Sequence, residues 1–414
     1  MVKIKSFKGY RPALHLAPKV AALPYDVMNT EEAKEMVKEN EISFLRITRP
    51  EVDFPEGENP YSEKVYQQAA NTFKKMVKDA VFIQDEKPTL YVYRQIMKGR
   101  SQTGLVACSS IEDYFNDYIK KHEFTRPEKE EDRKQHIKTT RIHSGPVFLT
   151  YKKVDEISAM IEKYQSRPNP EYDFTAEDGV QHTVWVIKDT EDVNELESLF
   201  SEKVPSTYIA DGHHRAASSA KAGKELEASG IQSEGDEHLY FLTVLFPDNE
   251  LEIMDYNRVV KDLNGLSESD FLEKLSADFD VSEIAQNELK PAKLHELGMY
   301  LGGKTYRLKA KSHTYDDQDP IKCLDVHVLQ EHVLSKHLNI TDPRTDKRID
   351  FVGGIRGMKG LKKRVDSGEM QVAFALYPVT IQQLIEISDA GKVMPPKSTW
   401  FEPKLRSGLI VHGF

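Results

Sequence analysis

The sequence predicts an α+β fold built on a mixed sheet, and three observations carry that prediction. Runs of β-strand composition and apolar stripes at helical spacing are intermixed along the chain, without the strict βα alternation of a parallel-sheet protein. The 414 residues exceed the usual reach of a single hydrophobic core, which predicts two or three lobes. A hydrophobic content of 39% beside 30% charged residues fits a soluble globular chain. The expected divisions are an N-terminal α/β region over 1–104, a central core over 105–261 and a C-terminal α/β lobe over 262–414 that closes the site.

The elements follow in order. Asn29-Thr30-Glu31-Glu32 opens a helix that continues through 33–38, with Asn29 capping and Glu32 reaching back. Asn59-Pro60 repeats that logic with proline at the first helical position, and Val65, Ala69, Phe73 and Met76 then form an apolar stripe. Residues 89–97 and 104–109 read as strands joined by a turn at Lys98-Gly99. In the polar stretch 120–141 a helix is expected over 128–138, with Asp132, Arg133 and His136 in surface pairs. Further strands are expected over 146–151, 182–188, 205–209, 238–246 and 251–259, and an alanine-rich helix over 216–228. From about residue 262 the pattern is helix-rich and acidic, through 267–279 and 289–299. Residues 325–338 are amphipathic, with Val328, Leu329 and Val333 toward a core and His327, Glu331 and His337 elsewhere. A strand over 371–377 leads through Pro378 into a helix over 381–389 ended by Gly391. The stretch 394–414 is irregular, basic and aromatic.

Composition excludes several classes. Cys108 and Cys323 are too few for a disulfide framework or a structural zinc site, which points to a reducing cytoplasm. No apolar run approaches the roughly 18 residues needed to cross a bilayer, and Pro12, His15, Pro18 and Lys19 interrupt any signal-peptide core. A net charge of −10 argues against nucleic acid or an anionic membrane as partner, so a phosphate site has to be local. There is no P-loop, Gly-x-Gly-x-x-Gly, His-Glu-x-x-His or Gly-x-Ser-x-Gly motif.

Three constellations carry chemistry. The first is Ala210-Asp211-Gly212-His213-His214-Arg215, between a strand and a helix. A strand that turns on glycine into a helix start presents backbone N–H groups and the positive end of the helix dipole, which suits phosphate. A carboxylate, two imidazoles and a guanidinium exceed what capping requires; the plainer alternative is a capped helix with surface histidines. The second is Lys121-His122-Glu123-Phe124-Thr125-Arg126-Pro127, where flanking cations can hold Glu123 ionised and oriented as a general base. Its alternative is a charged loop leading into a helix. The third is Met394 to Lys404, where Lys397, Ser398 and Thr399 suit a small anionic ligand. Its alternative is a strap whose Trp400 and Phe401 plug the core. Pro24-Tyr25-Asp26, Arg46 and Arg49 also look specialised, the arginines facing either a phosphate or solvent from an edge strand, and Asp350 to Gly354 is a weak glycine turn.

The Asp-Gly-His-His-Arg turn resembles the nucleotide-binding box of the ParB/sulfiredoxin superfamily, and within it the archaeal free L-serine kinases. Those carry this turn and an upstream His-Glu pair whose glutamate is the catalytic base, matched here by His122-Glu123. Their C-terminal Gly-Glu, strand and Pro-Lys with two hydroxyl residues are similar to Gly368-Glu369, 371–377 and Pro396-Lys397-Ser398-Thr399. Over nearly its whole length the chain is similar to a broad bacterial and archaeal family labelled as of unknown function. The shared stretches include Pro-Tyr-Asp-Val, Ser-Phe-Leu-Arg, His-Glu-x-Thr-Arg-Pro and Pro-Pro-Lys-Ser-Thr.

The resemblance implies a ParB/sulfiredoxin-like nucleotide-binding core and a Mg²⁺-dependent kinase that moves the terminal phosphoryl group of ATP or ADP to free L-serine. It implies Glu123 as base beside His122, with Asp211 helping to hold the hydroxyl or the metal. Gly212, His213, His214, Arg215 and Arg126 would bind the nucleotide, and Lys397, Ser398, Thr399 and Trp400 the substrate. Alternatives of other classes are a ParB-like nucleotide switch associated with DNA, a sulfiredoxin-like repair enzyme, and a kinase of another small hydroxyl compound. The repair enzyme needs a cysteine where His213 and His214 stand.

Overall fold

The computed structural model describes residues 1–231 and 233–414. They divide into two compact units. The first comprises Met1–Lys121, Thr125–Leu251 and Pro403–Phe414; the second comprises His122–Phe124 and Glu252–Glu402.

The first unit is organised by a nine-stranded mixed sheet. Its strands are β1 (Ile4–Lys5), β2 (Leu90–Met97), β3 (Arg100–Ser110), β4 (Ile119–Lys120), β5 (Val147–Tyr151), β6 (Tyr172–Thr175), β7 (Gln181–Ile187), β8 (Thr207–Asp211) and β9 (Tyr240–Pro247). They lie in the order β4-β8-β5-β9-β3-β2-β7-β6, with β1 also on β3. The β8/β4 and β9/β5 pairs are parallel and the rest antiparallel, so the sheet is mixed as expected. The β2–β3 hairpin closes through Lys98 (φ 51°) and Gly99 (φ 81°), two left-handed residues that match the twist of a tight hairpin.

Local signals hold well in this unit. Helix α1 (Thr30–Val37) starts with the expected capping box: Glu32 N–H donates to Asn29 Oδ1 at 2.8 Å and Asn29 N–H to Glu32 Oε2 at 2.8 Å. Helix α2 (Glu63–Lys78) buries Val65, Ala69, Phe73 and Met76, but begins later than Asn59-Pro60 suggests, with Ser62 at the N-cap position and no side-chain capping bond. The core of the sheet gathers Val92, Leu105, Leu149, Trp185, Ile209 and Phe241, and α4 (His213–Ala228) packs Ala216 and Ala220 onto it. Helix α3 (Pro127–Thr140) precedes α4 and covers the expected 128–138.

Two expectations fail here. Asp132, Arg133 and His136 on α3 are not surface pairs. Arg133 donates to Asp132 Oδ2 (2.8 Å) and Thr48 O (3.1 Å), Tyr66 O–H donates to Asp132 Oδ1 (2.8 Å), and His136 Nε2 donates to Ile47 O (2.7 Å). Burial pushes His136 down to about 4, so it is a neutral core donor. Arg46 and Arg49 also lie on no edge strand, because Leu45–Thr48 is a helical turn. Arg46 donates to Val37 O (2.8 Å) and pairs with Asp53, while Arg49 donates to Tyr25 O (2.8 Å) and Met28 O (3.0 Å). Both arginines brace loops.

The second unit holds a six-stranded antiparallel sheet. Its strands are β10 (Tyr256–Val260), β11 (Phe279–Ile284), β12 (Glu296–Leu301), β13 (Lys304–Ala310), β14 (Ile349–Gly353) and β15 (Val372–Ala375), in the order β11-β13-β12-β15-β10-β14. Val259, Tyr300, Val352, Leu361, Met370 and Ala373 form a core cluster beneath it. The expected helix over 289–299 is absent: residues 296–301 form β12, paired with β13 and β15. The apolar run there is buried on both faces of an inner strand, a pattern that periodicity alone does not separate from a helix. The expected helix over 325–338 is α5 (Asp325–Leu329) followed by a π-helical stretch, Gln330–Ser335. Small two-stranded sheets complete the topology in both units.

Candidate functional site

The Asp211–Arg215 turn is built as its residues dictate. Strand β8 pairs with β5 through Ile209 and Asp211, with a register shift between them that re-aims the strand end. Gly212 follows with φ 97° and ψ 35°, a left-handed conformation that side chains rarely adopt, and α4 starts at His213. A Cβ on Gly212 would sit 3.0 Å from both Nε and Cζ of Arg215, so the guanidinium lies directly against the turn. Arg215 is 7% exposed, donates from Nη2 to Asp211 Oδ2 at 2.9 Å, and also donates to Pro146 O; its buried Nε has no acceptor. Burial opposes the Arg215 charge, but Asp211, Asp26 and Tyr25 outweigh it and hold the guanidinium more firmly protonated than usual. Lys404 Nζ lies 3.8 Å from Asp211 Oδ1. His213 is buried, and His214 Nε2 accepts the Arg126 backbone N–H at 3.0 Å, so this ring is a neutral acceptor at Nε2.

Pro24, Tyr25, Arg133, His143, Gly145 and Arg215 line a small cavity behind the turn. The Tyr25 ring stacks under Arg133, with the guanidinium carbon 4.5 Å from its centroid, and burial first, then Asp26, pushes its phenol up to about 12. Tyr25 and Asp26 thus belong to the surroundings of Arg215, a placement that the sequence signals only through the unusual Pro-Tyr-Asp string.

The other expected residues belong to the second unit. His122 is 2% exposed; its carbonyl accepts from Met394 N at 2.9 Å and its Nε2 lies 3.4 Å from Thr399 Oγ1. Glu123 beside it is half-buried, and Phe124 is 68% exposed. Arg258, 2% exposed, donates to Pro396 O at 3.0 Å and to Tyr256 O, fixing the proline-locked segment. Burial pushes Arg258 down to about 10. Lys397 is exposed, in a left-handed conformation (φ 58°), with Nζ 5.9 Å from the Tyr256 ring centroid. Ser398 donates to Pro395 O at 2.5 Å. Trp400 meets the Tyr256 ring edge-on at 4.9 Å and donates to Glu402 Oε1 at 3.0 Å. A Cβ on Gly353 would lie 2.6 Å from the Trp400 ring, so the glycine turn that is weak in sequence is the seat of this tryptophan.

Sequence reasoning missed Asp325, which is 2% exposed. Its Oδ1 accepts from His295 N at 2.8 Å, while its buried Oδ2 has no partner. It lines a small cavity with Tyr256, Gln383 and Ser398. In sequence it is marked only as the first residue of the amphipathic stretch 325–338.

The candidate residues therefore gather in two groups, Asp211 to Arg215 with Arg126 in the first unit, and His122 and Glu123 with Lys397 to Trp400 in the second. Among the described residues no group of three His, Cys, Asp or Glu side chains is placed to hold a metal. Among the described residues no helix is long and apolar enough to cross a membrane.

A mixed-sheet unit that ends a strand on a left-handed glycine and opens a helix with two histidines and an arginine defines, at the level of class, a mixed α/β protein. The chain belongs to the family described as protein of unknown function DUF1015, whose model matches residues 4–327. A free serine kinase variant solved with AMP is 14% identical, covering 69% of this chain and 84% of that one with a TM-score of 0.35. A conserved hypothetical protein from Pyrococcus furiosus is 16% identical, covering 69% and 87%, with a TM-score of 0.34. C-terminally truncated SbnI from Staphylococcus aureus is 11% identical, covering 73% and 85%, with a TM-score of 0.38. A search of the curated proteins finds no match.

Proposed function

We propose that this protein is a small-molecule kinase that transfers the terminal phosphoryl group of ATP or ADP to the hydroxyl of free L-serine, giving O-phospho-L-serine. The observation that carries the reading is the turn itself: a left-handed glycine, a helix start and a buried arginine pressed against it, the arrangement a nucleotide phosphate needs. The motif resemblance supplies the rest. Glu123 takes the serine hydroxyl proton, with His122 beside it, as the serine oxygen bonds to phosphorus and the bond to the leaving nucleotide oxygen breaks. Asp211 orients Arg215 and helps hold the hydroxyl or the metal. Gly212, His213, His214, Arg215 and Arg126 bind the nucleotide; Lys397, Ser398, Thr399 and Trp400 meet the substrate. Mg²⁺ held by the nucleotide phosphates would supply charge neutralisation.

Phosphorus NMR on the protein with Mg²⁺, with ATP and ADP separately and with and without L-serine, tests this. The expected result is a phosphomonoester signal that requires serine. Glu123→Gln is expected to lower turnover by about 10²–10⁴-fold, the usual loss on removing a positioned base, with an unchanged melting temperature. No serine-dependent product with either nucleotide refutes the proposal, and retention on DNA at moderate salt instead favours the ParB-like reading.

A further inference from the structure

We propose that Lys404 is a phosphate-binding residue of the Asp211–Arg215 turn, steered there by Asp211 acting as a positioning residue. This rests on reading the turn as a phosphate site.

Three observations within the first unit support it. First, the Lys404 backbone is fixed. Its carbonyl accepts from Gln95 Nε2 at 2.9 Å, and Gln95 is itself oriented on the β2–β3 hairpin by Gln102, which donates to its Oε1 at 3.1 Å. Two residues on, Arg406 donates to His182 Nε2 at 3.2 Å and pairs with Asp178; then Ser407 exchanges backbone hydrogen bonds with Ala22 at 2.8 and 3.0 Å. A side chain launched from such a strap starts from a defined position, which lowers the entropy lost when it engages a ligand.

Second, the Lys404 side chain is 10% exposed, yet its ammonium lies 3.8 Å from Asp211 Oδ1, beyond hydrogen-bond distance. Asp211 already accepts from Arg215 at 2.9 Å through its other oxygen. One carboxylate is thus flanked by two cations. A lysine ammonium is a compact charge on a flexible stem that can move onto an arriving phosphate oxygen.

Third, the point both cations face is built to accept an anion. Arg215 is more than nine-tenths buried, lies against the Cβ-less face of Gly212, and leaves its Nε without an acceptor. A terminal phosphate would meet the helix start, the guanidinium and Lys404 together.

Isothermal titration calorimetry with Mg²⁺-ADP, inorganic tripolyphosphate and adenosine tests the assignment. Lys404→Met keeps the aliphatic stem, Lys404→Arg keeps the charge, and thermal melting verifies that each is folded. Wild-type binding of ADP tests the phosphate reading itself; no binding of ADP or tripolyphosphate overturns both. Given that binding, Lys404→Met is expected to weaken ADP and tripolyphosphate by about 10- to 100-fold, as loss of a charge-assisted hydrogen bond does. Adenosine affinity should be unchanged, and Lys404→Arg should recover part of the loss. Wild-type affinity for both phosphate ligands in Lys404→Met overturns the role of Lys404 while leaving the phosphate reading standing. A loss for adenosine equal to that for ADP also overturns it, because a merely structural lysine would act that way.

Discussion

Asp325 is a carboxyl group whose proton should be measurable in the stability of the second unit. Burial, the main cause, and to a smaller extent Glu296 push it up from 3.8 to about 7, against the backbone hydrogen bond from His295. Between pH 4 and 7 the folded chain therefore keeps a proton that the unfolded chain has released. Stability falls as pH rises through that window and is level above and below it. That difference corresponds to roughly 4 kcal/mol. Asp325→Asn removes the titration while its side-chain carbonyl still accepts from His295. The two tryptophans aid the assay, because Trp185 lies in the first unit and Trp400 in the second. In a Trp185→Phe background, urea unfolding followed by Trp400 fluorescence at several values between pH 4 and 8 reports on the second unit. The stability of the Asp325 protein relative to its Asn variant should drop by about 4 kcal/mol from pH 4 to 7 and then stay constant. A difference that is the same at every pH would show that Asp325 titrates alike in the folded and unfolded chain, and the argument from its orphaned oxygen would fail.

Other consequences are simpler to check. Asn29→Ala removes the side-chain half of the α1 capping box and should cost about 1 kcal/mol in urea unfolding; an unchanged midpoint contradicts the bonding seen at Glu32. Gly223→Ala lies inside α4, where alanine normally gains about 0.5–1 kcal/mol. Here the added Cβ would run into the His238 carbonyl, so a lower melting temperature is expected and a higher one would contradict the packing. Cys108 and Cys323 are both buried, and burial raises both thiols, so neither should react with a thiol reagent at pH 8 until urea unfolds the chain.

What the sequence disclosed was what short-range chemistry decides. The Asn29 capping box, the Lys98-Gly99 hairpin and the strand–glycine–helix junction at Asp211 each depend on residues within a few positions of one another. What it concealed depended on distant partners. Arg133 and His136 look like solvent-facing charges until the carbonyls of Thr48 and Ile47, more than eighty positions away, are seen to receive them. Residues 296–301 carry an apolar run that suits a helix or an inner strand, and Gly298 settles it, since the Leu289 carbonyl occupies the space where its Cβ would be. In the candidate site, the turn was legible as a unit, whereas Tyr25, Asp26 and Lys404 around Arg215 and Asp211 come from opposite ends of the sequence. Asp325 gave no local signal, because an orphaned oxygen is a property of what packs around it.

The strap that carries Lys404 also sets an order of events during synthesis. Residues 403–414 belong to the first unit, but they leave the ribosome only after Glu252–Glu402 has been made. At about 5–20 residues per second that is a delay on the order of ten seconds. Throughout it the backbone groups of Tyr10, Ala22 and His143 that later pair with Val411, Ser407 and His412 have no strand to receive them. The nascent first unit thus waits with open edges while a later unit is free to form. Such a chain stays exposed to mispairing until the strap arrives, and a clipped or masked strap would harm the unit synthesised first.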